Sequence, residues 1–439
     1  MTEHNSLSSG QFLFHRTASR DLETPQVGES RGKSDPGFKD ALKTEFPELI
    51  TGERLAECGV DRMRGHSVFG ALAIHIGAGE KTPHPVGLDA ARAIESAALS
   101  EDSLWGLIDD GCLGLYLPNA DSDRCRQVAE SIRQRLAEKQ NPPLTIGIAV
   151  YPTLAYTPEV ILENARKALD HAAFFGPGST VVFDAVSLNV SGDRLYQSGN
   201  LTGAVSEFQM ALKLDPENVN VHNSLGVCHG LLGDMDRALE EFEIARQLDS
   251  DEITALYNIG LVHQLCGRNQ EALEKFLEAG RIGEDIFEIA FQTGKLYCDL
   301  SEWERARGFL EKAIQLDPDA SVTYRYLGMC HSACDRLDDA VSAYQKAVKL
   351  NPNDADALSA LGHTFDRLGK ESEIALVFCR QSVDIAPENG LFHHRLGLLC
   401  LNQGRHGEAL EAFRAACERG YDSASCIDEV EDQLSARAS

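Results

Sequence analysis

A glycine returns every 34 residues through the second half of this chain. Gly192, Gly226, Gly260, Gly294, Gly328, Gly362 and Gly397 keep that beat with one step of 35, and so do Ala204, Ala238, Ala272, Ala306, Ala340, Ala375 and Ala409. A sustained period of this length means stacked units, each too small to bury its apolar face alone. Both columns slip once, between Gly362 and Ala375. The glycines Gly369 and Gly404 place the extra residue in the turn KESEI, where insertions are tolerated.

Each unit reads as two amphipathic helices. A glycine on the first facing an alanine on the second is expected to let two backbones cross closely. A bulky column follows at Phe208, Phe242, Phe276, Leu310, Tyr344 and Phe413, then small residues at Ala211, Ala245, Ala279, Ala313, Ala347 and Ala416. Pro216, Pro318, Pro352 and Pro387 fall where a second helix must stop. These columns resemble the tetratricopeptide repeat in seven copies over residues 185–424. The polar tail 425–439 reads as a capping helix.

By that resemblance the second, fifth, sixth, ninth and twelfth positions of a unit face a peptide-binding groove. They include Asn220, Asn223, Tyr257, Asn258, Gln264, Phe291, Gln292, Lys295, Arg325, Tyr326, His363, His394 and Arg395. Amides there bond an extended backbone, and aromatic or Arg side chains anchor residues. Lys295, Arg325 and Arg395 gather in an otherwise acidic array, so an acidic or C-terminal peptide is the expected ligand. The family's clamp for chaperone tails has no basic counterpart here: its sites fall on Asn189, Asp193, Ser224, Thr254 and Asn258.

Residues 1–65 are rich in Ser, Gly, Glu and Pro and are read as mostly flexible, with a short helix in ALKTEFPELI. Strands and helices alternate over 66–184: VFGALAIHI, LDAARAIESAAL, the hairpin LWGLID/CLGLYLP, SDRCRQVAESIRQRLAEK, LTIGIAVYP, TPEVILENARKALDHAAFF and TVVFD. Helices on one face of a mostly antiparallel sheet give an α+β sandwich of ferredoxin-like type. The expected fold is therefore mainly α, a solenoid of seven helix pairs preceded by that sandwich.

The order, together with ARKALDHAAFFGPGSTVVF (165–183) and LTIGIAVYP (144–152), resembles the GGDEF domain of diguanylate cyclases. That reaction needs carboxylates to hold two magnesium ions against a triphosphate. The family's acidic positions fall at or near His75 and Gly77 on the first strand, and on Gly111 and Cys112 in the hairpin. Its two hairpin glycines are replaced by Asp109 and Asp110. The helix lysine, loop arginine and inhibitory Arg and Asp correspond to Ala173, Pro177, Ser100 and Ser103. Asp-Gly is also a favoured hairpin turn by itself. The loop Asp109-Asp110-Gly111-Cys112 is read as a vestigial turn; a surviving metal or nucleotide site is the other reading. Neither "GIAVYP" nor "GPGS" has the length or the Lys of a phosphate loop.

The formal charge of −27 is divided as 26 Asp and Glu against 18 Lys and Arg before residue 185, and 42 against 23 after it. Such a surface repels phosphate backbones, so nucleic acid is not an expected partner. No apolar run reaches eighteen residues and the N-terminus lacks the basic-then-apolar order of a secretory signal, so the protein is read as cytoplasmic and not membrane-inserted.

Twelve cysteines in such a chain are read as reduced thiols, with Cys266, Cys330 and Cys334 filling core sites. His229, His263 and His331 are read as partly buried substitutes for an aromatic residue. The functional expectation is a bacterial-type signalling adaptor that is not an enzyme, has no metal or cofactor, and binds proteins or peptides through its repeats. A nucleotide sensor or residual cyclase, for GTP or cyclic di-GMP, is the alternative. Self-association through the groove or the capping helix is a third possibility.

Overall fold

The computed structural model describes residues 36–77, 84–98, 100–109, 111–139, 141–283 and 285–438. The chain divides into two compact units, Met1–Asn258 and Ile259–Ser439.

The first unit begins with a six-stranded sheet in the order β1-β3-β4-β2-β5-β6, formed by β1 (Ile50–Thr51), β2 (Phe69–His75), β3 (Leu104–Asp109), β4 (Cys112–Pro118), β5 (Thr145–Tyr151) and β6 (Thr180–Val182). β2 lies at the centre, antiparallel to β4 and β5, while β1 with β3 and β5 with β6 are parallel. Strand β2 is buried from Phe69 to Ile74, and a strand without a polar row needs cover on both sides. It has that cover. Leu72 and Ile74 share a core with α1 (Pro36–Glu45), α3 (His84–Ala98) and α4 (Ser122–Ala137). On the opposite face Ala71 and Ala73 share one with α2 (Glu53–Met63) and α5 (Ile161–Ala173).

Two expectations change here. Helices cover both faces of the sheet, not one. Residues 36–63, read from sequence as part of a mostly flexible segment, form α1, β1 and α2. These helices are short and carry few apolar residues, but Phe38, Leu42, Leu55, Val60 and Met63 are all buried. Residues 1–35 of that segment lie outside the described residues.

The repeat helices follow without a break in packing. Asp184 caps α6 (Ala185–Gln197) through a capping box with Ser187, and α5 packs on α6. Lys167 Nζ meets Glu207 at 2.7 Å and Arg194 Nη1 meets Asp170 at 2.6 Å. Phe183, Leu188 and Phe208 belong to the core that underlies the sheet. The packing therefore does not divide at the expected 184/185 boundary.

The other repeat helices in the first unit are α7 (Leu201–Leu214), α8 (Val219–Leu231) and α9 (Met235–Leu248). α10 (Ile253–Leu265) contains the division between units. The second unit contains α11 (Asn269–Ile282), α12 (Phe287–Asp299), α13 (Trp303–Leu316), α14 (Ser321–Ala333), α15 (Leu337–Leu350), α16 (Ala355–Arg367), α17 (Ser372–Ile385), α18 (Gly390–Asn402), α19 (His406–Glu418) and α20 (Ala424–Ala438). The odd-spaced step falls in the turn 368–371, where Glu371 takes a left-handed φ of 52°.

The glycine column has a different partner from the one expected. A Cβ on Gly226 would lie 2.6 Å from the Phe242 ring, and one on Gly397 would lie 2.6 Å from Phe413. The bulky residue of the second helix presses on the glycine, and at Gly362 a Cβ would also meet the Ala375 carbonyl oxygen at 2.8 Å. In the sixth pair the ring is replaced by Cys379, whose Sγ would meet a Gly362 Cβ at 2.6 Å. No helix among the described residues is long and apolar enough to cross a membrane.

Candidate peptide-binding surface

Helices place residues three and four apart on one face, so the predicted positions of each first helix line up in rows. In the first unit Asn220 is exposed, but the other predicted residues are buried rather than open. Asn223 is 1% exposed, Tyr257 4% and Asn258 0%. Neither amide atom of Asn223 has a hydrogen-bond partner among the described residues, which is costly for a buried amide. Nearby in sequence register, burial pushes the Asp193 carboxyl up to about 6. His222 responds differently: burial opposes its charge, but hydrogen bonds from Nδ1 to Glu241 at 2.7 Å and from Nε2 to the Pro216 carbonyl at 3.0 Å leave its pKa raised.

The second unit brings most of the remaining predicted residues together. On α12, Phe291 stacks on Phe287 at 5.8 Å and meets the Tyr326 ring of α14 edge-on at 5.7 Å. Gln292 and Lys295 are half-buried on the same helix, and Gln264 is half-buried near the end of α10. Lys295 has no hydrogen bond or ion pair among the described residues.

The two arginines differ. Arg325 lies over the Tyr326 ring at 5.1 Å, and its guanidinium meets Asp354 at 3.1 Å and Asp356 at 3.5 Å. Its charge is thereby neutralised by α16 and its N-cap, which the sequence reading did not foresee. Arg395, on α18, donates from Nη1 to Ser359 Oγ of α16 at 3.1 Å and has no carboxylate within ion-pair distance among the described residues. Burial lowers its pKa, yet an arginine stays charged.

The imidazoles beside it carry no charge at neutral pH. His363 is pushed down to about 4, first by burial and then by the charges of Arg395, Arg367 and His394. His394 is lowered by the same two causes, burial and Arg395; its Nδ1 lies 2.8 Å from Ser423 Oγ and its ring 4.7 Å from that of Tyr421. The cluster Ser359, His363, His394 and Arg395 thus has one strong positive donor in a half-buried setting.

The hairpin has the opposite character. Asp109 pairs with Cys112 across the turn, after a register irregularity between Leu107 and Asp109, and Gly111 takes a φ of +82°. Asp110 lies outside the described residues. Arg166 Nη2 holds Asp109 Oδ2 at 2.9 Å, and burial pushes the Cys112 thiol up to about 12. His75 faces Cys112 across the sheet and is lowered by its own burial. Among the described residues no group of three His, Cys, Asp or Glu side chains is placed to hold a metal ion.

The described cysteines are free thiols. Cys330 is buried, with its Sγ 3.3 Å from that of Cys298, but Cys266 is exposed and Cys334 only partly covered. The expected core role fails for these two because their column caps the first helix at the surface, where Leu232 is exposed too. Among the histidines His229 is buried, and His263 and His331 are half-buried.

Family models for the TPR repeat match residues 192–233 and 333–369, and a tetratricopeptide repeat model matches 375–424. The chain carries tetratricopeptide repeats. Curated proteins similar to the repeat region include protein NPGR2 of Arabidopsis thaliana, 27% identical over 126 residues, which are 28% of this chain and 17% of that protein. Anaphase-promoting complex subunit 3 of Schizosaccharomyces pombe is 26% identical over 117 residues, with 27% and 17% covered. The small glutamine-rich tetratricopeptide repeat-containing protein 2 of Mycosarcoma maydis is 34% identical over 79 residues, with 18% and 22% covered. The matched segments span about a fifth of these relatives' lengths or less. Among solved structures, the TPR protein YrrB is 26% identical, with 43% of this chain and 96% of that one covered and a TM-score of 0.39. MamA is also 26% identical, with 39% and 92% covered and a TM-score of 0.35.

Proposed function

We propose that the chain is a non-catalytic protein-interaction adaptor. Its tetratricopeptide repeats bind an acidic or C-terminal peptide on the first-helix face of the second unit. The observation that carries the reading is Arg395: a half-buried guanidinium held by Ser359, without a carboxylate at ion-pair distance among the described residues, beside imidazoles that are uncharged at neutral pH. A carboxylate arriving there would form a charge-assisted pair with little competition from water. Phe291 and Tyr326 offer aromatic walls for neighbouring residues of the peptide. Arg325, already paired, orients Tyr326 and contributes less.

The α+β domain is assigned the role of a degenerate, ferredoxin-like GGDEF relative that caps the first repeat, in a cytoplasmic protein of bacterial signalling. What supports its inactivity is the hairpin chemistry: Asp109 is engaged by Arg166, and Cys112 stands where a hard oxygen donor is needed.

Calorimetry tests the proposal with a hexapeptide ending in Glu-Asp, as free acid and as C-terminal amide, against the full chain. The free acid is expected to bind, and Arg395→Ala to weaken it at least tenfold. Equal binding by the variant would refute the assigned anchor.

A further inference from the structure

One second helix, α11, carries a glycine where the other second helices carry a side chain. In α7, α13, α15 and α17 the position eight residues beyond the conserved alanine holds Leu212, Ile314, Val348 and Val383, all half-buried, and in α9 and α19 it holds Arg246 and Cys417. In α11 the corresponding residue is Gly280, and three residues later Gly283 stands where other units have Asp215, Asp317 or Asn351. A Cβ built on Gly280 would meet only Ile289, at 3.5 Å, an ordinary contact. The missing side chain leaves a cavity of about 170 Å³ between the second helices α11 and α13, floored by the start of α12.

Its walls are apolar, with Phe276, Leu277, Ile286, Ile289 and Phe309 among them, and its rim carries Arg281 and Lys312. Neither cation has a hydrogen bond or a carboxylate at ion-pair distance among the described residues. Most surface cations of this chain are engaged, as Lys275 is with Glu278 at 3.2 Å. Both cations stand beside an apolar hollow in a protein of net charge −27.

We propose that this cavity is a second docking site, which takes one branched aliphatic side chain of an acidic partner segment. Arg281 and Lys312 meet the carboxylates that flank that side chain. The size decides the class: 170 Å³ admits a leucine or isoleucine side chain and is well under the roughly 300–1,000 Å³ of sites for drug-sized ligands. Burying that side chain supplies the hydrophobic gain, and the cations select against basic sequences. None of the residues around Arg395 lines this cavity, which opens between second helices over the start of α12.

The test uses a fluorescein-labelled Glu-Glu-Leu-Glu-Glu peptide and the full chain, read by fluorescence anisotropy. Replacing Leu by Ala, or every Glu by Lys, is expected to weaken binding at least tenfold. Gly280→Val fills the hollow as Val348 does in its own unit; it is expected to melt no lower than the wild type by circular dichroism and to bind at least tenfold more weakly. Should that variant fail to fold, Lys312→Glu decides, with a comparable loss expected. The proposal is overturned if the wild type does not bind, if the Ala peptide binds equally, or if a folded Gly280→Val or Lys312→Glu chain keeps full affinity.

Discussion

The hairpin of the α+β domain and the Arg395 cluster of the repeats handle charge in contrasting ways. Asp109 meets Arg166, and its neighbour across the turn is a buried thiol held protonated. Arg395 is supported by a serine hydroxyl and has no carboxylate at ion-pair distance among the described residues. A closed pair stabilises what is already folded, whereas a half-buried charge with only a neutral partner costs stability until something binds. The difference teaches where to look for a ligand: at the unmet charge, not at the acidic motif that first attracts the eye.

The largest way to stress this comparison is to loosen the repeat that carries the anchor. Phe413 seats its ring against Gly397, two residues beyond Arg395, so Phe413→Ala should cost about 3–5 kcal/mol in urea unfolding. Cys379→Ala, at the equivalent place in the sixth pair, should cost much less because fewer atoms are removed. Equal losses would mean that the bulky column does not set the helix contact.

Asp193 provides a smaller and pH-dependent stress. Its carboxyl titrates near 6 in the native state and near 4 when unfolded, so between these values the native chain holds the proton more tightly. Stability therefore falls as pH rises through that window, and the deficit is complete above it. Asp193→Asn should raise stability by roughly 2 kcal/mol at pH 7 and by little at pH 4. A gain that is the same at both pH values would break the assignment.

Arg395→Ala should reduce peptide affinity at least tenfold, about 1.4 kcal/mol, with a thermal midpoint close to wild type. Arg325→Ala should reduce it less, since Asp354 and Asp356 already meet that charge. Reversed magnitudes in a titration of both variants would exchange their roles. The smallest effect is expected at the hairpin. Asp109→Asn removes a pair in which both side chains are about half exposed, so its stability change should stay within about 1 kcal/mol. Magnesium with GTP should give no heat with either chain.

The repeat architecture was legible because two helices packed at fixed distance demand the same residue sizes every 34 positions. The ring that presses on each glycine was not, because spacing gives columns while side-chain direction along the helix decides that Phe242 comes nearest to Gly226. Five of the six strands were legible from their apolar runs, and Ile50–Thr51 was not. The helix Pro36–Glu45 was legible only in part, through ALKTEFPELI, and Glu53–Met63 was not, since so few buried residues in a polar stretch leave weak periodicity. At the candidate site the state of the named residues depends on partners distant in sequence. Arg325 is neutralised from 29 and 31 residues away, and the burial of Asn223, Tyr257 and Asn258 has no local signature.

Hydrogen–deuterium exchange of the full chain, with and without the Glu-Asp hexapeptide, tests the central claim most directly. Slowed exchange confined to the first helices α14, α16 and α18, and abolished by Arg395→Ala, is the predicted result. Protection centred on residues 104–118, or protection that persists in the variant, would contradict it.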